Sequence, residues 1–294
     1  MNSFNIKDLE NLSGIKAHTI RIWEQRYTFL NPNRTGTNIR IYSNEELKTV
    51  LNIALLNKYG FKISHIAQMN KEELKNKIFS LTNLQAQQER IVNEMINCMI
   101  DIDFEQFESI LDQHISRLGI EKSITQIIFP FLERVGILWV TSNINPAQEH
   151  LITNIIRQKI ILGIETITSI FNSTKLCIVF LPEGEHHELG ILFIHYLLKS
   201  KGIKVIYLGA NVPIADIEYL CKRKSPDFIY SHLTSLAHNF NFEKFLKFIG
   251  QKIPDQLTII SGFVTSSYKK AIPANVQFKS SLEHVMEFIS ELNK

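Results

Sequence analysis

The sequence predicts an α + α/β chain: an N-terminal winged helix-turn-helix, a central helical bundle and a C-terminal doubly wound parallel sheet. Three observations predict it. From Phe4 to Phe171 apolar residues recur mostly at helical spacing, broken early by one short alternating stretch. From Lys175 onward, short apolar runs alternate with helical patterns, as β-α units do. The length of 294 residues, with 45% hydrophobic and 21% charged, is ordinary globular composition for two or three domains. The boundaries are 1–72 for the winged module, 73–88 for a linker, 89–172 for the bundle and 173–294 for the sheet domain.

Composition excludes several classes. No apolar run approaches the roughly 18 residues of a membrane span, and MNSFNIKDLENLSG does not read as a signal peptide. Cys98, Cys177 and Cys221 are far apart and form no CxxC pair, which fits a reducing cytoplasm and argues against a disulfide framework or a zinc ribbon. The net charge of +3 is uneven. Residues 1–71 carry ten Lys/Arg against five Asp/Glu, while the remainder carries 22 against 24. A basic module on a near-neutral body points to a polyanion at one end.

In the N-terminal module, Phe4, Ile6, Leu9 and Leu12 form an apolar stripe ending at Ser13-Gly14. A second helix, Ala17 to Arg26, puts Ile20 and Trp23 inside and leaves Arg21, Gln25 and Arg26 outside. Periodicity alone does not separate an arbitrary helical pair from a helix-turn-helix whose second helix enters a major groove. LNPNRTGTNIRIYS then reads as a β-hairpin wing with Arg34 and Arg40 exposed. Ser43 and Glu46 form a capping box for a helix through Leu47, Val50, Leu51, Ala54 and Leu55 that stops at Gly60. A short helix near Ser64 uses Ile66 and Met69. In IRIWEQRY, the Arg34 wing, Ile39-Arg40-Ile41-Tyr42-Ser43 and NKYGFKISHI, these residues resemble the MerR family of winged-helix transcription regulators, over about 70 residues. The resemblance implies a double-stranded DNA operator as partner, with Arg21 and Tyr42 at phosphates and Arg34 and Arg40 near the backbone. Lys16 stands where a capping Ser is usual; it cannot cap, but it offers a further phosphate contact.

The polar stretch from Lys71 to Gln88 is expected to be a helical linker. Amphipathic helices follow over Ile91–Ile100, Phe104–Arg117, Ile120–Leu138 and Pro146–Phe171, with Asp103 and Asn145-Pro146 as helix starts. By periodicity this is a plain bundle, suited to dimerisation. Trp139 lies ten positions before the pair Glu149-His150, an arrangement that is either core plus surface or the wall of a pocket. ERVGILW followed by PAQEHL resembles the helical cap of the CarH/LitR-like light-sensing, cobalamin-binding repressors. The resemblance implies Trp139 over the corrin beside the adenosyl group, with Glu149 and His150 closing that chamber. Light-sensing members can carry a His after the Trp; Val140 stands there, so a second histidine could not capture the cobalt from this position.

KLCIVFL opens the β-α series: a strand, the loop LPEGEHHELG, a helix over Glu188–Ser200, then VIYLG, ANVP and a helix over Ile214–Lys222. DFIYSHL, FEKFLKFIG, LTIISGF, VQF and a helix over Ser281–Asn293 complete a flavodoxin-like sheet, with ligands expected at the carboxyl ends of its strands. The loop sits at such an end. It is a metal site, a catalytic loop or a solvated turn; a dinucleotide G-x-G-x-x-G is absent. In Glu185-x-His187-x-x-Gly190 an imidazole suits a borderline metal such as cobalt, and a carboxylate two residues earlier can fix its tautomer. The motif resembles the base-off, His-on cobalamin signature of those repressors and of corrinoid methyl-transfer domains. It implies His187 as lower axial ligand and Glu185 behind it; His186 points elsewhere by register, solvent-exposed or at the pocket edge. Gly190 would allow close approach of the bulky cofactor. Ser231-His232-Leu233 matches the family's S-x-L, whose Ser meets the nucleotide tail. The expected Gly-Gly appears as Ser261-Gly262, which puts a side chain where the tail must pass and bears on affinity for adenosylcobalamin.

The reading that follows is a repressor that binds adenosylcobalamin, forms a homo-oligomer (dimer or tetramer), grips its operator and disassembles in light. The alternative is a MerR-type regulator whose cobalamin-like domain no longer binds cofactor and acts through a protein partner. A corrinoid methyl carrier would leave the basic winged helix without a purpose. No Ser/His/Asp or paired-carboxylate arrangement suggests an enzyme, and no membrane role is expected.

Overall fold

A computed structural model of the chain describes residues 3–140, 144–168, 173–234 and 240–292. The chain is α followed by α/β, and it divides into two compact units, Met1–Ile155 and Ile156–Lys294.

The first unit opens with α1 (Ile6–Ser13) and α2 (Ala17–Arg26). Asn5 accepts from the N–H groups of Lys7 and Asp8 while Asp8 accepts from the N–H of Asn5, so α1 starts in a capping box. Strands β1 (Asn33–Arg34) and β2 (Arg40–Ile41) pair antiparallel as the wing, with Arg34 opposite Arg40. The expected Ser43–Glu46 box is present and starts α3 (Asn44–Lys58). That helix ends in a Schellman turn: Phe61 N–H donates to the Leu56 carbonyl and Gly60 N–H to that of Asn57, with Gly60 at φ 95°. A single turn, α4 (Ile63–Ile66), precedes α5 (Lys71–Phe79). The stretch expected as a linker is thus helical from its start. Its Ile78 is buried in the same core as Trp23, Ile53, Leu56 and Ile66.

Four helices follow: α6 (Leu84–Asp101), α7 (Phe104–Ser123), α8 (Phe129–Val140) and α9 (Pro146–Glu165). Gly119, at φ 78° and ψ 168°, breaks α7 where the sequence placed a boundary between two helices. Between α7 and α8 lies a π-helical turn, Ile124–Ile128, closed by the Phe129 N–H on the Ile124 carbonyl. Pro130 has no N–H, and its ring would strike the Gln126 carbonyl in a regular helix; the wider turn makes room for it. Phe107 and Phe131 meet at 5.4 Å between ring centroids in the core. The helix expected to run to Phe171 is described to Glu165; Phe171 and Asn293 lie outside the described residues.

Ile102 joins α6 to α7 in the left-handed region at φ 59°, and its side chain is 56% exposed. A β-branched residue is strained there, and little burial is at stake. Ile102→Asn should therefore stabilise the helical unit by about 1 kcal/mol, read as a higher urea midpoint. An unchanged or lower midpoint would show that the Ile102 side chain contributes more than its conformation costs.

In the second unit, strands β3 (Leu176–Pro182), β4 (Lys204–Val212), β5 (Phe228–Leu233), β6 (Leu257–Gly262) and β7 (Val276–Lys279) alternate with α10 (Glu188–Ser200), α11 (Ile214–Lys224), α12 (Phe242–Lys252), α13 (Phe263–Ser267) and α14 (Leu282–Glu291). All strand pairs are parallel and the order is β4-β3-β5-β6-β7. The order reverses direction between β3 and β5, so the crevice for a ligand lies at their carboxyl ends. One sheet face carries a large apolar cluster from α11 and α12, including Phe180, Ile217, Phe245, Ile249 and Ile260.

Candidate functional site

The loop after β3 is built around one carboxylate. Glu185 is 3% exposed, and its Oε1 accepts from the backbone N–H groups of His186 and His187, each at 2.9 Å. The same oxygen lies 2.6 Å from His187 Nδ1. An ionised carboxylate only accepts, so Nδ1 carries a proton, and in the neutral tautomer this leaves the lone pair on Nε2. The His187 side chain is 58% exposed and occupies the N-cap position of α10. The loop is anchored to the end of β4: Asn211 N–H donates to the Glu185 carbonyl at 3.2 Å, and Gly184 N–H donates to Asn211 Oδ1 at 3.0 Å. Asn211 reaches both at φ 57°, a conformation Asn tolerates. The ANVP segment that the sequence singled out is therefore a brace for this loop.

Among the described residues, no group of three or more His, Cys, Asp and Glu side chains is placed to hold a metal ion. A single imidazole with a fixed tautomer suits a metal that brings its equatorial ligands with it, as a corrin does for cobalt.

The other expected residues cluster at the neighbouring strand ends. Ser231 Oγ is buried without a hydrogen-bond partner, an orphan that fits an added polar ligand. Leu233 is fully buried. Gly262 sits at φ 103°, and a Cβ there would lie 2.7 Å from the carbonyl carbon and 2.9 Å from the nitrogen of Leu233. Its glycine is thus demanded by the backbone of β5 before any ligand is considered. Gly190 differs from expectation in the same way. A Cβ on Gly190 would lie 2.6 Å from His232 Nε2, so the ring of His232 fills the space expected to be open for the cofactor.

Ser261 is engaged rather than idle. The Tyr230 hydroxyl donates to Ser261 Oγ at 2.9 Å, and His232 Nδ1 lies 2.8 Å from the same oxygen. Burial holds the His232 imidazole down to a pKa of about 4, with Glu185 acting in the opposite sense, so the ring is neutral near pH 7. Sequence reasoning missed His232 and Tyr230. The only available signal was a bulky residue at the middle of S-x-L.

On the helical unit, Trp139 lies next to the end of α8 with its side chain exposed, and Glu149 in the first turn of α9 is followed directly by His150. His150 Nδ1 is 3.5 Å from Glu149 Oε2. Gln148, unremarked in the sequence, is buried and donates to the carbonyls of Met99 and Ile100 at 3.1 and 3.0 Å. It ties the start of α9 to the end of α6 and so sets the direction in which Glu149 and His150 emerge.

The basic residues of the winged module separate into two layers. Lys16 is the N-cap of α2 without a side-chain cap bond, exposed, 3.5 Å from Glu10. Arg21 is exposed on α2. Arg34 is exposed on the wing and donates to Asn38 Oδ1 at 2.8 Å. Arg40 and Tyr42 correct the expectation. Strand alternation turns both toward α2, where Arg40 Nε pairs with Glu24 at 2.7 Å and the Tyr42 hydroxyl donates to the same oxygen at 3.3 Å. Tyr42 is fully buried, bridged through its backbone to Phe4, and burial raises its pKa to about 12. A side chain so enclosed has no surface to offer a phosphate.

Comparison with known proteins finds family matches for the winged module and for the helical segment that follows it. Residues 4–73 match the family described as MerR HTH family regulatory protein, and residues 91–162 match a B12 binding domain. The HTH-type transcriptional repressor CarA of Myxococcus xanthus is 28% identical over 230 residues, which cover 77% of this chain and 75% of CarA. The repressor CarH of the same organism is 24% identical over 282 residues, 92% of each chain. Among solved structures, the monomethylamine corrinoid protein of Methanosarcina barkeri aligns with a TM-score of 0.58 at 13% identity, over 70% of this chain and 99% of its own, a likeness of fold. The chain thus carries a segment that matches MerR HTH regulatory proteins, followed by a segment that matches a B12 binding domain, and it is similar over most of its length to the repressors CarA and CarH.

Proposed function

We propose that this chain is a transcriptional repressor whose grip on operator DNA is set by adenosylcobalamin and by light. The observation that carries the cofactor half is the Glu185–His187 pair, 2.6 Å apart at the carboxyl end of β3. His187 would hold the cobalt through Nε2, with Glu185 fixing its tautomer and raising its donor strength. The unpartnered hydroxyl of Ser231 would serve the part of the cofactor below the corrin. Trp139, Glu149 and His150 are proposed to face the adenosyl side, as the resemblance implies; their segment lies within the B12 binding domain match, which supports a cofactor role. When bound, adenosylcobalamin supplies a cobalt–carbon bond that light can break. Val140 offers no imidazole to take the vacated position.

On the DNA side, Arg21, Arg34 and Lys16 meet phosphates, while Arg40 and Tyr42 hold the wing against α2 through Glu24. Arg34→Ala should weaken binding to all sequences alike and lower the salt slope by about 1. Arg40→Ala should weaken binding without that fall in salt slope, because it removes no phosphate contact but frees Glu24 and loosens the wing. Mobility-shift titrations over a range of salt separate the two. A change confined to one base position would show that Arg34 reads sequence.

The chain acts as a regulator and not an enzyme, as its relatives are named transcriptional repressors. Among the described residues no helix is long and apolar enough to cross a membrane. A homo-oligomer is part of the proposal, since several DNA-binding heads on one assembly gain avidity that a change of assembly can remove. Purification in the dark with adenosylcobalamin, with spectrum and mass recorded before and after green light, tests the reading. A His-ligated spectrum that His187→Ala abolishes supports it. If no corrinoid is retained, the domain is a protein-interaction module instead.

A further inference from the structure

The cofactor crevice of this sheet is occupied by the protein's own side chains. The direction of strand order reverses between β3 and β5, the place where an open parallel sheet receives its ligand. His232 stands at the end of β5, adjacent to that reversal, and its ring lies against Gly190 in the first turn of α10, just beyond the ligating loop. It is held there by Ser261 at the end of β6, which Tyr230 holds in turn. Phe228, Tyr230 and His232 share one face of β5 by strand alternation, and Phe228 on that face meets Phe288 of α14 at 5.5 Å. His187 and the ring of His232 therefore belong to one crevice: the first is mostly exposed at its mouth, the second plugs its depth.

A corrinoid ligated by a protein imidazole must put its own nucleotide base elsewhere, because two bases cannot share one axial position. In an open parallel sheet the place that receives such a group is the crevice at the carboxyl ends of the strands. Resting on the cobalamin reading above, we infer that the His232–Ser261–Tyr230 chain is a specificity device that disfavours corrinoids with a bulky nucleotide tail and favours those with a short tail or none. A tailed cofactor enters only if the His232 ring swings off Gly190 and gives up its bond to Ser261, leaving buried polar groups to find new partners. A corrinoid without the tail needs His187 alone and leaves the chain of three undisturbed. His232 acts as a positioning residue and touches no reacting atom.

The test compares aquocobinamide, which lacks the nucleotide, with aquocobalamin, which carries dimethylbenzimidazole, by equilibrium dialysis against the whole protein. The spectrum of each complex reports histidine ligation. The wild type should hold cobinamide at least about tenfold more tightly than cobalamin. His232→Ala and Ser261→Gly should each close that gap by raising the affinity for cobalamin. Cobinamide affinity, which should stay unchanged, verifies that both variants are folded. Equal binding of the two corrinoids by the wild type, or an unaltered ratio in both variants, would overturn the inference while leaving the cobalamin reading intact. Failure of every form to retain either corrinoid would remove the cobalamin reading and this inference together.

Discussion

Gly262→Ala is expected to cost the α/β unit about 3 kcal/mol or more, a large share of the stability of an ordinary domain. Two independent costs add. The backbone at φ 103° is one that an L-residue rarely adopts, and the new Cβ would be driven into the backbone of Leu233 on the adjacent strand. Backbone cannot rotate aside as a side chain can, so β5 and β6 would have to part at the ligand end. Gly190→Ala makes the comparison. The nearest atoms its Cβ would meet belong to the ring of His232, which can turn away, and its own backbone is helical. That variant should lose about 1 kcal/mol. Urea unfolding followed by circular dichroism gives both numbers. Should Gly262→Ala melt within about 1 kcal/mol of the wild type, the close approach of the two strands would be wrong.

Glu185→Ala should lower corrinoid affinity by about 10- to 100-fold and leave the fold intact. The carboxylate accepts three bonds through one oxygen: two from the loop backbone and one from His187. Removing it frees the imidazole to rotate and to change tautomer, so the donor atom is no longer aimed or enriched. Glu185→Gln should be milder, since its amide oxygen can still accept from the backbone. Spectral titration with aquocobalamin at fixed pH reads the affinity and the ligation together. Identical titrations for wild type and Glu185→Ala would show that His187 is oriented by something else.

Much of this was legible in the chain itself, for physical reasons that differ by element. The break in α7 is visible because Gly119 interrupts a helical period, and the start of α9 because Asn145-Pro146 supplies both a cap and a fixed φ. The sheet was legible because each strand is a short apolar run bounded by turn residues, and its β-α rhythm admits few orders. The Glu185–His187 pair could be anticipated because both partners lie within three residues on one loop. What remained hidden was long-range. Gly190 and Gly262 read as openings for a ligand, yet each is shaped by a residue of β5 some thirty to forty positions away. Tyr42 and Arg40 read as outward because a two-residue strand is too short for its alternation to declare which side is inside. Only Glu24 on α2 settles that. Gln148 was invisible because its partners are backbone carbonyls, which carry no signature in a sequence.

The sparseness of the metal end has a consequence for competition among ions. In a cell, zinc and copper outbid cobalt for almost any open set of nitrogen, oxygen and sulfur donors. A protein that gathered three or four such donors would be filled by the wrong ion. This loop offers one aimed imidazole and, among the described residues, no surrounding set to complete a cage. Discrimination is thereby delegated to the macrocycle, where the metal was chosen before the protein met it.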